Sequence, residues 1–262
     1  MSFTDKADKY GRYALITGAS SGIGKEFAYQ LAEKKINLIL TARRKDRLLA
    51  IAKDIKNKYS VDVRIAISDL SKENFIEPIR KAASGLEVGL LINNAGYGLT
   101  GPFFKNERTR ERDMIHVNCL APTVLAHEFG LPMIKRNRGG IIFVSSILGH
   151  FSTPFMSNYS ATKAYNLMIG EALWYELKPS GVDVLVVAPG TTETEFASVS
   201  NMRAISAMPP SSVVKCALKN IGKKPVCIPG IKNCMIVSLI KIIPRKLKII
   251  LLGHSMKILG RN

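Results

Sequence analysis

A tyrosine and a lysine four residues apart, Tyr159 and Lys163 in the run YSATK, have the residue types and spacing to move a proton. On a helix, positions i and i+4 share a face, so the ammonium of Lys163 can lie beside the phenol of Tyr159. A phenol with an ordinary pKa of ~10 is a poor base at neutral pH, and a nearby cation favours its phenolate. Upstream, Ser145 and Ser146 close an apolar run. A hydroxyl there can hydrogen-bond a substrate carbonyl and stabilise charge developing on its oxygen.

A second cluster has the composition of a phosphate cradle. Thr17-Gly18-Ala19-Ser20-Ser21-Gly22-Ile23-Gly24 lies between an apolar run and a helical pattern. Glycine there lets the backbone approach a pyrophosphate, and the helix N-terminus offers unpaired N–H groups and the positive end of its dipole. The next apolar run ends in Arg43-Arg44-Lys45. Sites selective for NAD(H) commonly carry an acidic residue at that point, whereas an arginine, with its planar fork of donors, accommodates the 2′-phosphate of NADP(H). Arg43 and Arg44 therefore predict NADP(H) rather than NAD(H).

The elements that must position these residues alternate along the chain. Apolar strand patterns over 12–17, 36–42, 61–67, 88–94, 140–146 and 182–190 are separated by helical patterns over 25–34, 46–59, 72–83, 107–135 and 158–177. A helix at 213–221 and a last short strand at 225–230 follow a long excursion, 191–212, which is the expected substrate loop. Continuous apolar strands between amphipathic helices predict an α/β fold with a doubly wound, Rossmann-like parallel sheet, a single domain over 1–230. In such sheets ligands bind beyond the carboxyl ends of the strands, where the clusters above fall.

The spacing TGxxxGxG, not GxGxxG, resembles that of the short-chain dehydrogenase/reductase family, and the resemblance extends through separated motifs over 12–229. Asn93-Asn94-Ala95-Gly96 is similar to the family's NNAG segment beside the cofactor. Pro189-Gly190 with Thr192 and Thr194 is similar to its PGxxxT segment, whose threonine seats the nicotinamide carboxamide, and YSATK matches its YxxxK. The family serine precedes the tyrosine by thirteen positions, which selects Ser146. Ser145 then points back into the sheet, since successive strand residues face opposite sides. Asn118 resembles the helix asparagine whose backbone holds a water behind the lysine. Asp69 resembles the aspartate that reaches the adenine amino group, although Asp-Leu-Ser is equally a local helix N-terminus. The resemblance thus implies carbonyl–alcohol oxidoreduction with Ser146, Tyr159, Lys163 and Asn118 as the catalytic set. It implies an NADP(H) site drawn from Gly18, Ser20, Ser21, Gly22, Ile23, Gly24, Arg43, Arg44, Asp69, Asn94, Ala95, Gly96, Pro189, Gly190, Thr192 and Thr194, with Tyr159 and Lys163. The intact catalytic residues weigh against the alternative of a non-catalytic NADP(H)-binding regulatory or scaffold protein.

Composition bounds the rest. The formal net charge is +18, but the 67 residues from Phe196 to Asn262 carry 12 Lys or Arg and no Asp or Glu, leaving +6 for the remainder. Residues 231–262 form a basic, amphipathic extension in which Pro244 separates two apolar pieces too short to span a bilayer. Two cationic helices are expected there, lying in a membrane interface or covering the substrate cleft or a subunit interface. Their apolar residues are aliphatic, which argues against stacking on nucleic-acid bases. Such an extension accompanies lipid or steroid carbonyl reduction in relatives, so the resemblance implies a hydrophobic small-molecule substrate. Four scattered cysteines without CxxC spacing and a start without an apolar leader predict a cytoplasmic protein. No His/Cys/Asp/Glu group has metal-ligand spacing, and a homo-oligomer is expected.

Overall fold

The computed structural model describes residues 9–200 and 207–259. Seven parallel strands form one sheet in the order β3-β2-β1-β4-β5-β6-β7. They are β1 Tyr13–Thr17, β2 Asn37–Ala42, β3 Val63–Ile67, β4 Val88–Asn93, β5 Gly139–Val144, β6 Val182–Val187 and β7 Val226–Cys227. Every residue of β4 and β5 is buried, as a central strand covered on both faces requires.

One helical layer holds α1 (Gly22–Glu33), α2 (Lys45–Tyr59) and α8 (Pro210–Asn220). Phe27, Leu31, Leu48 and Val214 bring these helices onto Ile16, Leu40 and Leu185 of the sheet. The opposite layer holds α3 (Ile76–Ala83), α4 (Arg108–Ile115), α5 (Ala121–Lys135) and α6 (Ser157–Glu176). There Ile79, Leu125, Phe129 and Leu167 pack on Leu15, Leu91 and Phe143. Strand order reverses between β1 and β4, so their carboxyl ends diverge into a crevice suited to a ligand.

Two expected helices differ. The pattern at 72–83 begins as turns, and α3 starts only at Ile76. The single helix expected over 107–135 is broken by a π-helical turn, His116–Leu120. Proline at 122 has no N–H, so the Asn118 carbonyl cannot receive its α-helical i+4 bond, and Asn166 Nδ2 donates to it instead at 2.8 Å. The extra residue brings Asn118 into the interior, where it is 1% exposed.

Beyond β6, a four-residue helix α7 (Phe196–Val199) precedes the undescribed part of the excursion, and a parallel bridge joins Thr192 to Met208. The extension folds as α9 (Ile231–Ile242) and α10 (Arg245–Leu259), divided at Pro244. Among the described residues no helix is long and apolar enough to cross a membrane.

Candidate active site

The carboxyl ends of β1, β4, β5 and β6 carry the residues that the motifs single out. After β1, Gly18 and Gly22 adopt φ of +66° and +53°, a left-handed conformation that favours glycine. At Gly24 a Cβ would lie 2.4 Å from the Gly18 carbonyl oxygen, so the loop can close only with glycine there. Ser20, Ser21 and Ile23 complete this loop, and α1 begins without a side-chain cap on its first N–H groups. Its N-terminus is thus left to an anion.

The end of β4 braces the loop from below. Asn94 Nδ2 donates to the Thr17 carbonyl at 2.8 Å, while the backbone N–H groups of Asn94 and Ala95 both donate to Thr17 Oγ1 at 2.9 Å. Gly96 leaves room for its neighbours: a Cβ there would stand 3.1 Å from both Lys163 Nζ and Asn118 Oδ1. Asn118 is itself fixed, its Nδ2 donating to the Tyr97 carbonyl and to Thr162 Oγ1, each at 2.9 Å.

Ser146, Tyr159 and Lys163 meet where β5 faces α6. All three are buried. The Ser146 Oγ accepts from Leu148 N at 3.2 Å, capping the 3₁₀ turn Ile147–His150, and its hydroxyl favours the ionised form of the neighbouring Tyr159 phenol. Lys163 Nζ donates to the Val144 carbonyl at 2.8 Å and lies 5.7 Å from the centre of the Tyr159 ring. The ammonium therefore lies over the ring, and its hydrogen bond goes to Val144 and not to the hydroxyl. Burial dominates both ionisations, pushing the phenol well above its ordinary range despite Ser146, and the lysine down to about 8. Lys163 is not among the causes of the phenol's shift, which are burial and Ser146. Ser145 also departs from expectation: its Oγ donates to the Lys163 carbonyl at 2.7 Å, tying β5 to α6 instead of pointing back into the sheet.

The nearby arginines differ in placement. Arg44 lies on the glycine loop, donating to Ser20 Oγ at 3.0 Å and to Ser21 Oγ at 2.8 Å, whereas Arg43 is exposed beside Asp69. Burial pushes the Asp69 carboxyl up, but hydrogen bonds from Ser71 and the charges of Arg43 and Lys72 outweigh it and hold it below the ordinary value. Its Oδ1 accepts from Ser71 N at 3.1 Å and Ser71 Oγ at 2.8 Å, the local turn role.

After β6, Pro189 accepts from Ile147 N at 3.0 Å, and Asn233 of α9 packs so close to Gly190 that a Cβ would lie 2.6 Å from its Oδ1. The Thr192 hydroxyl donates to the Gly190 carbonyl at 3.0 Å, and Thr194 lies against Gly22. The segment after β6 therefore lies across the glycine loop.

Tyr159 also belongs to an apolar wall. Leu99, Met114, Met156, Tyr159 and Met256 form one buried cluster, with Phe196 packed on it and its ring centre 5.2 Å from that of Tyr159. Met256 belongs to α10, so the extension covers this wall. The sequence carried no signal for Met256, which lies 97 residues beyond Tyr159. Glu195 and Arg47 were also missed, although an acid directly after Thr194 and a third arginine after β2 were visible there.

A sequence profile of the family described as short chain dehydrogenase matches residues 12–204. A very-long-chain 3-oxoacyl-CoA reductase of Podospora anserina is 36% identical over 223 residues, which are 83% of this chain and 65% of that protein; the chain thus aligns with just under two thirds of the reductase's length. A solved structure of a 7beta-hydroxysteroid dehydrogenase superposes with a TM-score of 0.88 at 29% identity, covering 96% of this chain and 99% of the other. A short-chain dehydrogenase from Sphingobium yanoikuyae, solved in complex with NADPH, gives a TM-score of 0.79 at 30% identity, covering 89% and 96%.

Proposed function

The chain belongs to the short-chain dehydrogenase family, and from that premise we propose that it interconverts a carbonyl and an alcohol on a hydrophobic, lipid-, 3-oxoacyl- or steroid-like substrate, with NADP(H) as cofactor. The observation that carries this reading is the buried meeting of Ser146, Tyr159 and Lys163 at the foot of an apolar wall. A non-catalytic binding protein would not need a buried lysine, whose desolvation is costly.

The chain's own residues fit a dinucleotide. The Gly18–Gly24 loop leaves no room for a Cβ at Gly24, the uncapped start of α1 suits a pyrophosphate, and Arg44 stands at the loop for a 2′-phosphate. Asn94, Ala95, Gly96, Pro189, Gly190, Thr192 and Thr194 line the path to the nicotinamide end, with Asp69 and Arg43 at the adenine end. When bound, the nicotinamide supplies or accepts the hydride.

In the reductive direction Ser146 donates a hydrogen bond to the substrate carbonyl oxygen, stabilising charge as it develops there. Tyr159 gives the proton to that oxygen. Its raised pKa keeps it protonated and ready to donate. Lys163 then stabilises the phenolate left behind. Asn118 stands at the inner end of this chain, where its main-chain oxygen retains a lone pair for a water that returns the proton.

The supports for the finer parts are particular. Met114, Met156 and Met256 make the cluster beside Tyr159 apolar and adaptable, which fits a hydrophobic substrate. On the outside, exposed Met235, Leu239, Ile242, Leu247 and Leu251 accompany Lys241, Arg245 and Lys246 with no acidic residue, which fits peripheral contact with an anionic membrane surface. Exposed Leu131, Tyr165 and Met168 on α5 and α6 offer a face for a homo-oligomer. NADPH oxidation over aldehydes, ketones, 3-oxoacyl thioesters and steroid ketones tests the reading. Turnover of the large apolar carbonyls supports it, and no turnover of any member overturns it.

A further inference from the structure

At the rim of the glycine loop a carboxylate of the chain itself holds two guanidinium groups. Glu195, directly after Thr194, pairs through Oε2 with Arg44 Nη1 at 2.6 Å and through Oε1 with Arg47 Nη1. Arg44 at the same time donates to the hydroxyls of Ser20 and Ser21. Arg47 and Arg44, in that order, hold the Glu195 carboxyl down to about 2, so it is ionised throughout the physiological range. The group borders a cleft of about 710 Å³ lined by Ser20, Ser21, Gly22, Lys25, Arg47 and Thr194 among others. Two guanidinium forks, two hydroxyls and a lysine at an uncapped helix start are the donors expected of a phosphate site. Here a carboxylate fills it.

We propose that Arg47 completes, with Arg44, the subsite for the cofactor's 2′-phosphate, and that Glu195 is its resident counter-anion, which that phosphate must displace. This deepens the NADP(H) reading above and rests on it. A phosphomonoester brings close to two negative charges and three acceptor oxygens, against one charge and two oxygens for the carboxylate, so it can take both arginines. A 2′-hydroxyl has neither the charge nor the oxygens to do so, and leaves the ion pairs standing. The displacement also reaches the substrate side. Phe196, the next residue, packs against Tyr159 with the two rings tilted by 47°, so freeing Glu195 loosens the anchor that keeps an aromatic ring beside the proton donor.

The test is calorimetric titration of the full chain, with no turnover needed, using NADPH, NADH, adenosine 2′,5′-bisphosphate and adenosine 5′-monophosphate. Removing the internal competitor with Glu195→Gln should tighten NADPH and the bisphosphate by about two- to thirtyfold, the range spanned by two exposed charge-assisted pairs. NADH and the monophosphate should change by less than about twofold, since neither contests the arginines. In the Glu195→Gln background, Arg47→Ala should then weaken NADPH by about tenfold and leave NADH nearly unchanged. Equal tightening of NADPH and NADH, or of neither, overturns the proposal. If the native chain favours NADPH, Arg44→Ala erases that preference and Glu195→Gln is silent, the NADP(H) reading stands and the proposal alone falls. A native chain that binds NADH and NADPH alike, whatever Arg44 becomes, brings down both.

Discussion

The polar wall along the glycine loop and the apolar wall around Tyr159 are built in opposite ways. The polar wall comes from short stretches that each carry their own geometry: Gly18–Gly24, Asn94–Gly96, and Arg44 two residues beyond β2. Its bonds are hydrogen bonds and ion pairs between definite partners, such as Asn94 to Thr17 and Arg44 to Ser20. The apolar wall has no such local unit. Leu99, Met114, Met156, Phe196 and Met256 come from five separate parts of the chain and meet only because the sheet and α10 bring them together. A nucleotide has the same phosphates in every such protein, so its wall can be specified by motif; a hydrophobic substrate is met by shape, which many residue combinations provide.

The sharpest division between the walls lies at Tyr159, which belongs to both. Tyr159→Phe keeps the ring and its packing against Phe196 but removes the proton. Turnover should fall by about a hundredfold or more while NADPH affinity stays within about twofold. Retention of more than a tenth of the turnover, measured by steady-state kinetics beside nucleotide titration, would remove Tyr159 from the role.

The extension separates inner from outer duties on one pair of helices. Neutralising two outer charges, Arg245→Gln with Lys246→Gln, should weaken binding to anionic vesicles by about 2 kcal/mol, at ~1 kcal/mol per cation, and rising salt should weaken the native chain too. Co-sedimentation measures it. Equal binding of variant and native chain at low salt would assign the exposed apolar face to something other than a charged lipid surface.

Lys163 gives a prediction in which activity and stability move apart. Burial lowers its pKa to about 8, so it carries its charge below that value and loses it above. The kcat/KM for NADPH, which reports ionisations of the free protein, should fall by about tenfold per pH unit above that point. The unfolded chain keeps its proton up to the ordinary lysine range, so between about 8 and that range it binds more protons than the folded chain, and stability should rise with pH there. The burial penalty is fully present below about 8 and relieved above it. Lys163→Met should flatten both profiles; a native profile level through this window would show the lysine ionising elsewhere.

The smallest expected effect tests the apolar wall. Met256→Ala should raise KM for large apolar carbonyls by about three- to tenfold, from lost contact area, and leave NADPH affinity unchanged. A matched loss for a small aldehyde would mean that Met256 supports the whole site and not the substrate wall.

How much of this was legible differs in the same way. The alternation of apolar strands and amphipathic helices, read at two periods, was enough for a doubly wound sheet, and the sheet has seven parallel strands with its reversal between β1 and β4. The π-turn was hidden because a helical pattern through Asn118 looks continuous, and the consequence of Pro122 emerges only when the Asn118 carbonyl is seen turned to Asn166. The role of Ser145 was misread because strand alternation says which side a residue faces, not that a helix carbonyl waits there to accept its proton.

By itself the sequence determined the strand–loop–helix order, the glycine positions, the i,i+4 pairing of Tyr159 with Lys163 and the uneven spread of charge, because each depends on neighbours a few residues apart. Tertiary structure alone decided that Lys163 lies over the Tyr159 ring with its pKa lowered, that Glu195 pairs with both Arg44 and Arg47, and that Met256 packs into the apolar cluster around Tyr159. Each of these turns on desolvation or on contact between residues distant in the chain, and neither quantity exists until the chain has folded.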